Sequence, residues 1–192
     1  GAGRHPMKAS RPPANARAPW RAAAFAALFG LLLATVLFAP ARWLAMALDA
    51  GSGGRVQLVN PHGTVWTGQA DLLLTGGPGS RDQAALPQGV RWRLAPTWTG
   101  GPTLRLALHM PCCTPEGITS RLRPVGGGFE WTLEAGQSRW PTAVLAGLGT
   151  PWNTLQLDGE LRLDSPGLRV RWVQGRARLD GSLSVDALNL SS

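Results

Sequence analysis

Lysine is nearly absent: Lys8 is the only one in 192 residues. Everything after it lacks the residue that a Walker-type phosphate loop, a Schiff base or a catalytic amine requires. Cysteine is almost as scarce, with Cys112 and Cys113 adjacent and no third. That spacing excludes the Cys-X-X-Cys of thiol redox centres. No Gly-X-Ser-X-Gly, His-Glu-X-X-His or Gly-X-Gly-X-X-Gly stretch occurs. We therefore assign no catalytic residue, no cofactor and no metal ligand, and read the chain as a non-enzyme.

Charge of one sign is also unevenly spread. The net charge of +8 suggests nucleic acid until it is divided along the chain. Arg4, Lys8, Arg11, Arg17 and Arg21 lie in the first 21 residues with no acid among them, which leaves 14 Arg against 11 acids for the rest. An excess of three does not make a nucleic-acid surface. The basic segment instead marks topology and an attraction to anionic inner-leaflet lipid.

Directly after that segment comes the longest apolar run, Ala22 to Ala39, eighteen residues without a charge. As a helix it covers about 27 Å, close to the ~30 Å hydrocarbon core of a bilayer. Positive charge stays on the cytoplasmic side, so a span over 22–41 leaves a disordered basic tail at 1–21 in the cytoplasm and exports the remainder. Trp20 and Trp43 bracket the span at headgroup depth, or Arg42 and Trp43 already begin the folded region. The competing reading is a cleaved signal peptide at Ala39-Pro40-Ala41 or Ala45-Met46-Ala47; the run exceeds the usual apolar length of such peptides, and Pro40 sits inside the first site. Residues 1 to 6 precede the first methionine, Met7, and carry no weight.

Beyond a flexible linker, 42–54 ending in Ser52-Gly53-Gly54, the domain 55–192 is dense in Gly and Pro and alternates with period two. Val56 and Leu58 begin a strand, and Asn60-Pro61-His62-Gly63 reads as a turn. Ala70, Leu72 and Leu74 come next, with a bulge expected at Gly68. Gly76 to Gln88 reads as loop. Val90-Trp92-Leu94 is ended by Pro96, and Leu104-Leu106-Leu108 pairs with it as a hairpin. Residues 109–124 have no regular pattern; Phe129-Trp131-Leu133 is the next strand, and Thr142 to Gly149 suits a short helix. Near the end, Leu155 to Asp164 and Leu168 to Trp172 match as a hairpin across Ser165-Pro166-Gly167, with Leu163 opposite Val170 and Asp164 opposite Arg169. A one-residue phase slip should be absorbed near Gln174-Gly175.

The polar residues receive bland readings. Asp158, Glu160, Asp164, Asp180 and Asp186 belong to a solvated sheet face, and His62 and His109 are incidental residues of turns. For Cys112 and Cys113, beside Pro111, three readings stay open. They form a strained vicinal disulfide or inert thiols in a turn, they pair between molecules, or, with His109 three residues ahead, they serve metal or redox chemistry.

The order of blocks Pro40 to Leu44, Gly63-Thr64-Val65-Trp66-Thr67-Gly68-Gln69-Ala70, Gly89 to Leu94, Leu155 to Leu163 and Leu168 to Leu183 resembles protein N of the type II secretion system, the general secretion pathway. The resemblance implies an accessory subunit of the bacterial inner membrane, single-pass, facing the periplasm, with other secretion components as partners. It gives Gly63, Thr64, Val65, Trp66 and Gly68 the role of a structural family motif. The β-rich part is also similar to AsmA-type grooves, which implies phospholipid as a further partner. The expected fold is mainly β: an N-terminal transmembrane helix, then a curved antiparallel sheet forming a groove or half-barrel, with one short helix.

Overall fold

The computed structural model describes residues 18–147 and 158–191 and divides into a unit that ends at Phe38 and one that begins at Ala39. The first holds α1 (Ala18–Leu37), whose Trp20–Leu37 stretch is long and apolar enough to cross a membrane. Its one hydroxyl, Thr35, donates to Leu31 O at 2.8 Å and so is satisfied within the helix. The helix starts four residues earlier than expected and stops before Pro40, which cannot continue it. The tail at residues 1–17 lies outside the described residues.

The second unit corrects the expected linker, because residues Ala41–Ser52 form a helix, α2. The segment is rich in Ala, Leu and Met, which are good helix formers. Its end is set by Gly53 at φ 62°, where the N–H groups of Gly53 and Gly54 return to Ala50 O and Asp49 O. Arg42 and Trp43 thus belong to the folded unit, and only Gly53, Gly54 and Arg55 separate α2 from the first strand.

The remainder of this unit is two antiparallel sheets. The larger contains β1 (Val56–Gly63), β2 (Thr67–Thr75), β4 (Val90–Thr97), β5 (Thr103–His109), β6 (Ile118–Val125), β7 (Gly128–Leu133), β10 (Leu168–Val173) and β11 (Arg176–Gly181) side by side, with β3 (Gln83–Ala85) on β2. The smaller is β12 (Ser184–Ser191), β9 (Asp158–Ser165) and β8 (Gly136–Pro141), and a short helix α3 (Thr142–Ala146) leaves β8. Residues 148–157, including Gly149 and the first part of the expected strand from Leu155, lie outside the described residues.

Alternation makes the larger sheet two-faced. Trp92 sits opposite Leu108, Leu122 opposite Trp131, and Trp131 opposite Val170; on the other face Arg105 meets Arg121, and Glu130 lies between Arg123 and Arg171. The apolar face is covered over β2, β4 and β5, where Ala70, Val90 and Trp92 pack with Ala41, Leu86, Met110, Cys113 and Val144. Toward β11 the cover ends: Phe129, Trp172 and Leu179 are 58, 54 and 65 % exposed.

Several expectations are corrected. Asn60 to Gly63 is not a turn but the end of β1, and the bulge falls there, between Val59 and His62 with Asn60 at φ 51°, instead of at Gly68. The loop from Gly76 contains β3, β4 runs on through Pro96, and the irregular region ends at Gly117 because Ile118 starts β6. The β9–β10 hairpin does not form. Leu163 pairs with Val185 and Ser138, whereas Val170 pairs with Trp131 and Leu179. Alternating Leu fixes which face a residue takes but not which strand it meets, and Phe129-Trp131-Leu133 satisfies β10 equally well. The phase slip does fall at a two-residue turn, with Gln174 at φ 50° and Gly175 at φ 75°, the geometry a type I′ hairpin needs.

Glu130, at an intervening position of β7, is buried at 2 % exposure. Arg171 donates to its Oε2 from Nε and Nη2 at 3.1 and 2.7 Å, and Arg123 Nε to its Oε1 at 2.8 Å. Those bonds tie β6, β7 and β10 together. Arg171 first, and Arg123 after it, hold the carboxyl below the ordinary glutamate value, against the opposing effect of burial. Since the folded-state value is the lower one, the stabilisation is present at neutral pH and is lost as acidification protonates the folded carboxylate. Glu130→Gln should lower stability at pH 7 by about 1–3 kcal/mol and flatten the acid limb of the pH–stability curve, as followed by thermal unfolding of the detergent-solubilised chain.

Candidate functional site

The Gly-Thr-Val-Trp-Thr-Gly block forms the junction where the chain enters the β-rich unit. Thr64 and Thr67 close a tight turn: Thr64 N donates to Thr67 O at 2.9 Å, and Thr67 N to Thr64 Oγ1 at 3.1 Å. Pro40 bridges to Thr64, and Val65 N donates to Ala39 O at 2.8 Å. From β4, Leu94 N donates to Trp66 O, and the Trp92 indole N–H is shared between Thr64 O and Val65 O at 3.2 and 3.1 Å. Gly63, Thr64, Val65, Trp66 and Gly68 are therefore brought together.

Both glycines answer to close approach. Gly63 lies at φ 91°, and a side-chain carbon on Gly68 would meet the Trp92 ring at 2.4 Å and His62 O at 2.6 Å. Trp92, 4 % exposed, is the residue that sequence reasoning under-weighted. Its alternation marked it as core; only Gly63 and Gly68, the latter paired directly with Trp92 from β2, hint at its clamp. Gly68→Ala should destabilise the unit by about 1–3 kcal/mol in thermal unfolding through overpacking, whereas Gly126→Ala, with open space around it, should change stability by less than about 0.5 kcal/mol.

The second cluster is the turn after β5. Cys112 and Cys113 are joined by a disulfide between neighbouring residues. Cys113 and Thr114 are fully buried; Met110 N donates to Thr114 Oγ1, and Arg139 N to Cys113 O, which pins β8 to this turn. His109 is not directed to the sulfurs: it closes β5 opposite Arg91 on the polar face. His62 lies in β1, its Nδ1 2.6 Å from Asn60 O. Among the described residues, no three His, Cys, Asp or Glu side chains converge as a metal site. Glu160, Asp180 and Asp186 are exposed, but Asp164 is half-buried with one enclosed oxygen that has no hydrogen-bond partner; the side chain of Asp158 lies outside the description.

On the polar face, His62 and His109 both line an open basin of about 760 Å³ that also takes in Arg91, Arg93, Arg105 and Glu116. Ala95 and Ala107 form part of its floor, so the long side chains stand around a shallow centre.

A family model described as type II secretion system (T2SS), protein N, matches residues 54–192, more than half of the chain. The chain belongs to this family. No curated protein and no solved structure matches it significantly. Protein N is an accessory inner-membrane component of type II secretion, not a known enzyme family, which agrees with the apolar α1. The match begins at Gly54 and so covers the sheets, the turn junction and the basin, but not α1.

Proposed function

We propose that this protein N chain is a membrane-anchored, periplasm-facing subunit that takes part in the export of folded proteins across the outer membrane through contacts with other secretion components. The orientation is supported by the five basic residues before Ala22, which favour a cytoplasmic N-terminus. The single observation that carries the contact reading is β11. All six of its residues are exposed, and among the described residues it ends the larger sheet with only β10 paired to it, leaving its outer edge open. Such an edge invites strand addition by a partner.

The experiment is affinity capture of the tagged full chain from mildly solubilised membranes. It should bring down inner-membrane secretion components, and Leu179→Pro on β11 should reduce their yield several-fold, since proline removes a ladder donor. Repeated capture without any secretion component would overturn the reading. A cytoplasm-dependent reporter placed after Ser192 should be inactive; activity there would overturn the orientation.

A second reading, lipid handling, is favoured by the uncovered apolar stripe of Phe129, Trp172 and Leu179. It predicts phospholipid bound without regard to headgroup and lost on Phe129→Ser with Trp172→Ser, as read by native mass spectrometry. Lipid-free wild-type protein would overturn it.

A further inference from the structure

The polar face of the larger sheet carries an electrostatic imbalance that the fold does not use. Arg121 pairs with Glu134, and Arg123 and Arg171 pair with Glu130. Arg91, Arg93 and Arg105 make no ion pair or side-chain hydrogen bond among the described residues, although all three line the same basin. They stand on adjacent strands: Arg91 and Arg93 are two residues apart on β4, and Arg105 on β5 is paired with Ala95, two residues farther on. One carboxylate, Glu116, lines the basin with them, so like charges are gathered in excess. Three guanidiniums held at one concavity cost self-repulsion that a bound anion removes.

The geometry also limits what kind of anion fits. β4 and β5 are paired along the basin on both sides, by β2 and by β6, so an extended peptide finds no free backbone there. Recognition must run through side-chain donors alone: guanidinium N–H groups and the ring N–H of His62 and His109. A group presenting several oxygen acceptors on a compact centre suits that, and about 760 Å³ exceeds a free phosphate by far. The wall of the basin includes Gly63 and Thr67, which flank the turn whose Val65 N–H binds Ala39 O. In the sequence only Phe38 lies between Ala39 and the last residue of α1.

We propose that the basin formed by Arg91, Arg93, Arg105, His62 and His109 binds the phosphate of an anionic phospholipid headgroup. The phosphodiester oxygens accept from the three guanidiniums, and the small floor at Ala95 and Ala107 leaves room for the headgroup alcohol. The site lies on the face opposite the apolar stripe. It rests on α1 being a membrane anchor but not on the secretion role. Failure to capture secretion components leaves it standing, and its own failure leaves the secretion role standing.

The test uses the full chain in uncharged detergent micelles and native mass spectrometry with equimolar phosphatidylglycerol and phosphatidylcholine. Retention of phosphatidylglycerol should exceed that of phosphatidylcholine roughly tenfold, since both carry the phosphodiester but choline brings a cation beside the three guanidiniums. The preference should vanish in Arg91→Gln/Arg93→Gln/Arg105→Gln. It should persist in Arg176→Gln/Arg178→Gln, which removes two charges of the same kind on β11. Should the triple variant unfold, Arg105→Gln alone carries the test and must weaken the preference at least threefold. Equal retention of the two lipids, or a preference unchanged by the basin substitutions, would overturn the proposal. So would displacement of phosphatidylglycerol by equimolar inorganic phosphate, which points to a free-anion site, or by equimolar hexaglutamate, which points to an acidic peptide site.

Discussion

The hydrogen bonds from the Trp92 indole to Thr64 O and Val65 O fix the point from which the rest of the unit is built. They lock the β1–β2 turn against β4, and the same turn receives Ala39 and Pro40. Gly63 and Gly68 are required because the ring and the backbone approach too closely for any side chain. A buried indole N–H left without an acceptor costs about 1–3 kcal/mol, so the clamp is favoured both by packing and by polar satisfaction. Because α2 begins at once from Ala41, which is 1 % exposed, the unit starts folding within a few residues of the end of α1.

Period-two alternation carried much of the fold into the sequence. Val90-Trp92-Leu94 and Leu104-Leu106-Leu108 are legible as a hairpin because the pattern and the Gly-Pro turn agree, and the two-faced sheet results from Arg at the intervening positions. Partner choice was not legible. β9 and β10 are joined by a turn that looks like a hairpin, yet they enter different sheets, since Leu alternation leaves the neighbour open and long-range pairing decides it. The helix α2 was hidden by its Gly-Ser-Gly-Gly end, which is a helix stop as much as a linker. Glu130 was hidden for a different reason: its burial depends on Arg123 and Arg171 arriving from strands before and after it, a fact of register and not of local composition.

The candidate sites divide in the same way. The turn motif is local and could be seen directly as Gly63 to Gly68. The basin assembles residues from β1, β2, β4, β5 and the loop before β6, so its histidines look incidental along the chain and converge only in space. The covered half of the apolar face supplies stability, the uncovered half and the β11 edge supply surface, and the polar face carries charge. This arrangement gives the unit three distinct surfaces on one sheet.

The central claim is that this module serves type II secretion, and the most direct measurement is where the secreted proteins accumulate when it is missing. Disruption of its gene in a secreting host should move folded substrates from the medium to the periplasm, with recovery on supplying the intact chain. Unchanged extracellular levels in the disrupted strain would contradict the account.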